Sequence, residues 1–290
     1  MSYLISVRFH DRRKGFHLRA YLRKLAVERR CAMTEAEVGG RHFFLLRFPL
    51  GGCEQETRKK LGWALARFIC DHIEPDLINR MIRRYDPYRS HEEVDQIQRE
   101  VLKQLKSSAW EYKHSVYADR REKLAEQVSR YLRDSYQLAV DGYVRFRMKG
   151  HFRVLASCVK EAVASYRLDQ EYKEFIRLLR HFIHIQVPKV PLVHVVHQSE
   201  GGFRLLLADG RPLPQKELDE WGYEGWETPF SHEDYILSAL LTAVPEHVVL
   251  HTEQPQENVI RTLLQIFKGR IMLCDGCSQC KPAVIWGEDA

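Results

Sequence analysis

The chain predicts an α+β fold: a small N-terminal α/β module, a helical middle, and a C-terminal mixed sheet with flanking helices. Three observations predict it. Strand-like segments sit at both ends of the chain, at Ser2–Phe9 and Arg41–Phe48 and again from Leu192 onward. From Ser90 to Pro188 the apolar residues instead recur at helical spacing. The closing strands alternate with a helical segment, which sets them parallel.

The elements follow in order. Ser2–Phe9 alternates apolar and polar residues, as a half-buried strand does. His17–Arg30 carries Leu18, Tyr21, Leu22, Leu25 and Ala26 at helical spacing. Gly39-Gly40 turns the chain into a second strand, Arg41–Phe48. A long helix starts at Thr57, with Leu61, Leu65, Phe68 and Ile73 on one face. Pro75 kinks or restarts it, because proline lacks the N–H the helix needs, and Pro87 ends it. Residues 1–88 are thus read as the α/β module.

Ser90 with Glu93 is a capping-box pair and opens a helix that faces Val94, Ile97, Val101 and Leu105 inward. Further helices are expected over Asp119–Val140, from Lys149, and from Asp169 to the stop at Pro188. These make residues 89–190 a helical domain. In residues 191–290, Leu192–His197 and Phe203–Ala208 flank Gly201-Gly202 as a hairpin. Gly210–Pro229 reads as loop, and Ser231 with Asp234 caps a helix running to Val244. Then come a strand at His247–His251, a helix at Glu257–Lys268 and a strand at Arg270–Cys274.

Composition narrows the class. A hydrophobic fraction of 44% with 29% charged residues suits a water-soluble globular chain with a substantial core. No run approaches the roughly 18 apolar residues that span a bilayer. The first residues are apolar and the basic ones follow, the reverse of a secretory signal, so a cytoplasmic protein is expected. Seven cysteines at irregular spacing do not suit a disulfide framework, and Cys31, Cys53, Cys70 and Cys158 read as buried apolar side chains. Residues 1–190 hold 38 Lys and Arg against 24 Asp and Glu, a net +14, while residues 191–290 hold 7 against 15, a net −8. The two surfaces either attract each other or offer the basic portion to an acidic partner.

Cys274-Asp-Gly-Cys277-Ser-Gln-Cys280 is where chemistry is expected. Three thiols within seven residues can converge on one ion, and Gly276 permits the tight turn this needs. Cys274 ends one predicted strand and His251 ends its parallel neighbour. Ligands gather beyond the carboxyl ends of such strands, so His251 is the expected fourth ligand, with Asp275 and Glu253 as alternatives. A Cys3His set suits zinc. Three cysteines with an outside ligand suit an iron–sulfur cluster. The plainer readings are a metal-free loop, or a reversible Cys277–Cys280 disulfide with Cys274 buried in its strand.

Histidine pairs elsewhere add little. His181 and His184 share a helix face but read as surface or half-buried residues, and His194 and His197 point to opposite faces of a strand and cannot readily grip one ion. A nucleic-acid reading would use Arg12, Arg13, Lys14, Lys59, Lys60, Arg145 and Arg147. Gly142–Lys149 interleaves aromatic and basic residues but lies between helices, so the plainer reading packs Tyr143 and Phe146 into the helical core. Nucleophile-elbow, phosphate-loop, dinucleotide and zinc-protease signatures are absent from the sequence.

The segments Asp141–Lys149, Glu174–Gln186 and Ile266–Cys280 together resemble the YtxC family of sporulation-associated proteins, most clearly over residues 90–280. The resemblance implies a cytoplasmic protein of an endospore-forming bacterium. It carries over no catalytic residue, substrate or cofactor. The leading expectation is therefore a non-enzymatic, sporulation-associated protein with a protein partner and a C-terminal cysteine centre. The rivals are a nucleic-acid-binding regulator that uses the basic portion, and a thiol- or metal-dependent enzyme at the C-terminal strand ends.

Overall fold

A computed structural model describes residues 2–49, 54–87, 89–105, 120–197, 202–213 and 232–277. It is an α+β protein with two four-stranded sheets, and it divides into two compact units, residues 1–168 and 169–290.

In the first unit, β1 (Ser2–Phe9) leads into α1 (Arg12–Glu28), whose N-cap Asp11 accepts the Lys14 backbone N–H. A hairpin of β2 (Ala32–Val38) and β3 (Arg41–Pro49) turns at Gly39 and Gly40, both with φ in the left-handed region. Strand β2 is an addition to the sequence reading. Its side chains are exposed or half-buried, so it lacks the apolar alternation that marks a strand facing a core. Strand β3 has that alternation, and buries Phe44, Leu46 and Phe48 beside Ile5 and Val7 of β1.

Helix α2 (Glu54–Phe68) continues through one π-helical turn, Ile69–Ile73, into α3 (Glu74–Tyr85) with Pro75 in its first turn. The break expected at Pro75 is thus made by a wider turn in which the Glu74 N–H reaches back to the Ile69 carbonyl. The capping box of α4 (His91–Gln104) forms as expected: Glu93 N–H donates to Ser90 Oγ at 3.2 Å, and Ser90 N–H donates to Glu93 Oε2 at 2.9 Å. Helix α5 (Arg120–Asp134) packs on α2, where Gly62 allows close approach. A methyl group at Gly62 would lie 2.4 Å from the Ala125 carbonyl oxygen. Gly62→Ala is therefore expected to destabilise this unit by about 1–3 kcal/mol, read as a lowered thermal midpoint.

The helix expected over Asp119–Val140 is shorter in the fold. Its last residues form β4 (Gln137–Ala139), which pairs parallel to β1 and gives the order β2-β3-β1-β4. Gly142–Lys149 is not a bare connector either, since α6 (Val140–Arg147) covers most of it. Tyr143 is buried as expected, but Phe146 is 65% exposed. The helices expected separately from Lys149 and Asp169 form one helix, α7 (Lys149–Ile185). No Gly or Pro occurs between Gly150 and Val187 to break it.

The second unit contains β5 (Val190–His197), β6 (Phe203–Leu207), α8 (His232–Ala243), β7 (Pro245–His251), α9 (Asn258–Ile266) and β8 (Ile271–Leu273). The predicted hairpin and parallel strands both form. Strands β5 and β6 are antiparallel, β5–β7 and β7–β8 are parallel, and the order is β6-β5-β7-β8. Val193, Val195, Val248 and Leu250 of the sheet bury against Ile236 and Leu240 of α8 and Ile260 and Leu263 of α9. Ser231 and most of the Gly210–Pro229 loop lie outside the described residues. No helix among the described residues is long and apolar enough to cross a membrane.

Candidate metal centre

Parallel pairing builds the centre. Val196 stands opposite His251, and Leu250 opposite Leu273, so Cys274 enters directly beside the end of β7. The Cys274 N–H extends the ladder by donating to the Leu250 carbonyl at 2.9 Å. The chain then turns at Gly276, φ +121, and the Gly276 N–H donates to Cys274 Sγ at 3.4 Å. This turn brings Cys277 Sγ to 3.5 Å from His251 Nδ1. The ligand atoms of His251, Cys274 and Cys277 all lie within 4.8 Å of one another.

These distances suit a tetrahedral ion. With Zn–S near 2.3 Å and Zn–N near 2.0–2.1 Å, the N···S edge of the tetrahedron is about 3.5 Å. His251 is 3% exposed, whereas both cysteines are half-buried. Burial, and secondarily the neighbouring His194, pushes the His251 pKa below its usual value and so favours the neutral, ligating imidazole.

By sequence alone His194 cannot readily share an ion with His197, because the two point to opposite faces of one strand. The register gives it another role. It stands opposite Val249, two residues before His251, so both rings leave the same sheet face, and His194 Nδ1 lies 3.0 Å from His251 Nε2. If His251 ligates through Nδ1, its proton sits on Nε2 and is donated to His194, which fixes ring and tautomer. His197 points the other way, toward Thr252 Oγ1 at 3.0 Å and Glu257 Oε2 at 3.3 Å. Asp275 and Glu253 are not in the cluster, and Cys280 lies outside the described residues. At φ +121 any side chain strains the backbone, although the space beside Gly276 is open. Gly276→Ala is expected to weaken zinc binding about tenfold in a chelator competition, through backbone strain alone.

Residues 59–272 match the family model described as the YtxC-like family, well over half of the chain. The chain belongs to the YtxC-like family. One relative is the "Uncharacterized protein YtxC" of Bacillus subtilis (strain 168), 28% identical over 134 residues, which are 46% of each chain. The alignment thus spans about half of that relative's length. No solved structure matches. The family match includes His194 and His251 and stops just short of Cys274.

The other cysteines of this YtxC-like chain differ from the cluster. Burial raises the thiol pKa of Cys31 and, more strongly, of Cys70, where the Glu74 carboxylate adds to the effect. Neither is an activated nucleophile. Cys158 is buried as expected, Cys31 only half-buried, and Cys53 lies outside the described residues.

The basic residues singled out in the sequence lie on α1, α2 and α6. Arg12 and Arg13 open α1. Lys14 pairs with Asp76, and Lys60 lies 3.9 Å from Glu56. Lys14 and Arg145 line one groove that also holds Asp11, Asp76 and Asp141. Lys59 lines another, between α2 and α5, with Arg58, Arg130 and Arg133 but also Glu122 and Glu126. Arg147 sits over the Tyr131 ring.

Sequence reasoning missed a buried ionic cluster in the first unit. Glu74 is fully buried and accepts from Arg120 Nη2 at 3.2 Å, with His151 Nε2 at 2.6 Å from its other oxygen. Arg120 also donates to the Leu105 carbonyl at 3.0 Å. Arg120 and His151 are 46 and 77 residues from Glu74 along the chain, so no local pattern announces the cluster.

Proposed function

We propose that this is a cytoplasmic, sporulation-associated protein without enzymatic activity, whose C-terminal unit is held by a zinc centre. The sporulation association and the compartment rest on the family resemblance alone. The zinc reading rests on one observation: a ring nitrogen of His251 and the sulfurs of Cys274 and Cys277 lie within 4.8 Å of one another at the end of a parallel sheet. Two thiolates with one imidazole favour zinc over an iron–sulfur cluster, whose irons are held chiefly by cysteine. Cys280 is the proposed fourth ligand. A closed Cys3His set leaves no position for water or substrate, so the centre is structural rather than catalytic.

The test is elemental analysis of protein purified under reducing, zinc-replete conditions. About one zinc per chain is expected. Metal well below stoichiometry would sink the reading. Rapid alkylation of Cys274 or Cys277 in zinc-loaded protein would instead favour the thiol-enzyme alternative.

A further inference from the structure

Within residues 169–290, the end of α7 and the turn after α9 line a cavity of about 340 Å³. Its polar wall is made by Arg177, Arg180, His181, His184, Lys268 and Arg270, and among the described residues no carboxylate lines it. Its floor is Ile183, Ile266 and Phe267, all buried. The four α7 residues fall three or four apart and so share one side of the helix. Gly269, at φ +94, reverses the chain after α9 and sets Lys268 and Arg270 around the same opening.

Helix ends account for part of this charge. Cations near a helix C-terminus offset its partial negative charge, and Arg180 donates to the Gln265 carbonyl at 2.6 Å near the end of α9. Arg177 pairs with Glu174 at 2.5 Å, and Arg270 donates to the Pro245 carbonyl at 3.3 Å. Among the described residues, no carboxylate pairs with Arg180, His181, His184, Lys268 or Arg270. Neutralising two helix ends does not require that these groups face one opening. Like charges gathered there repel, and an entering anion relieves that repulsion.

We infer that this cavity binds a compact phosphate-type anion, a phosphate or diphosphate group. Arginine and lysine supply fork and point-charge donors to such oxygens. The volume is at the small end for ligand sites. Among the described lining residues the one Phe, Tyr or Trp is Phe267, which is 1% exposed and offers no ring face to a nucleobase, and this favours a lone phosphate group over a polymer. This site shares no residue with the thiol cluster and is tested independently of it.

The experiment is calorimetric titration of the full chain with inorganic pyrophosphate at ionic strength matched by sodium chloride. Saturable one-to-one binding is expected. Lys268→Gln combined with His181→Gln should weaken it about tenfold, with an unchanged circular dichroism spectrum. Both side chains are exposed and neither makes a described ion pair, so the fold should tolerate the change. Heats no larger than those from added chloride, or binding unaltered in the double variant, would leave the residues as helix-end charges and overturn the inference. So would binding of an oligonucleotide that pyrophosphate does not displace.

Discussion

Cys277→Ser protein, purified beside the wild type from zinc-replete medium, is expected to carry essentially no zinc. Structural zinc sites bind with about 10–16 kcal/mol of apparent free energy, and much of it is coupled to folding. Losing one thiolate opens the site to water and removes a sulfur that lies 3.5 Å from His251 Nδ1. Strands β7 and β8 should then exchange their amide hydrogens faster, because β8 is a three-residue edge strand pinned next to Cys274. Chelation of the wild type should reproduce that loss of protection. His194→Ala provides the graded comparison. It removes the partner of His251 Nε2 but no ligand, so affinity should fall about 10–100-fold without abolishing binding. Equal zinc content in wild type and Cys277→Ser would refute the centre. Full affinity in His194→Ala would refute only the orienting role.

Glu74→Ala is the second large effect. It leaves the Arg120 guanidinium, 7% exposed, without its carboxylate in the core of the first unit. Removing one partner of a buried ion pair costs about 3–5 kcal/mol. For a unit of this size that is a fall of about 6–20 °C in thermal midpoint. The deficit comes from an unpaired charge rather than a lost attraction, so it should shrink when both partners are replaced. Glu74→Leu with Arg120→Met is expected to recover most of the stability. A double variant as unstable as the two single changes summed would show no coupling between Glu74 and Arg120 and would refute this account. Glu74 directly follows the π-helical turn, whose added residue shifts the helix face on which the carboxylate falls.

Much of the architecture can be read from local patterns. The Ser90–Glu93 box, the Gly39-Gly40 turn and the parallel β7–α9–β8 unit follow from spacing and turn chemistry. Strand β4 does not, because it has three residues and is a strand only through pairing with β1, some 130 residues earlier in the chain. Strand β2 is similarly silent, being an edge with no buried face to impose alternation. The exposed Phe146 shows the converse. An aromatic residue in a helical region reads as core, but which face of α6 is covered depends on what packs there.

The candidate site divides along the same line. Residue order alone supplies two thiols three apart, a glycine between them that can adopt positive φ, and a histidine closing the preceding strand; these are local properties of composition and turn geometry. Only the tertiary structure decides that His194 faces His251, that Arg177 through Arg270 surround one cavity, and that Glu74 meets Arg120 and His151. Each of those depends on strand register or helix packing between segments far apart in the chain. Register and packing are chosen by the whole buried surface, not by any stretch of sequence read separately.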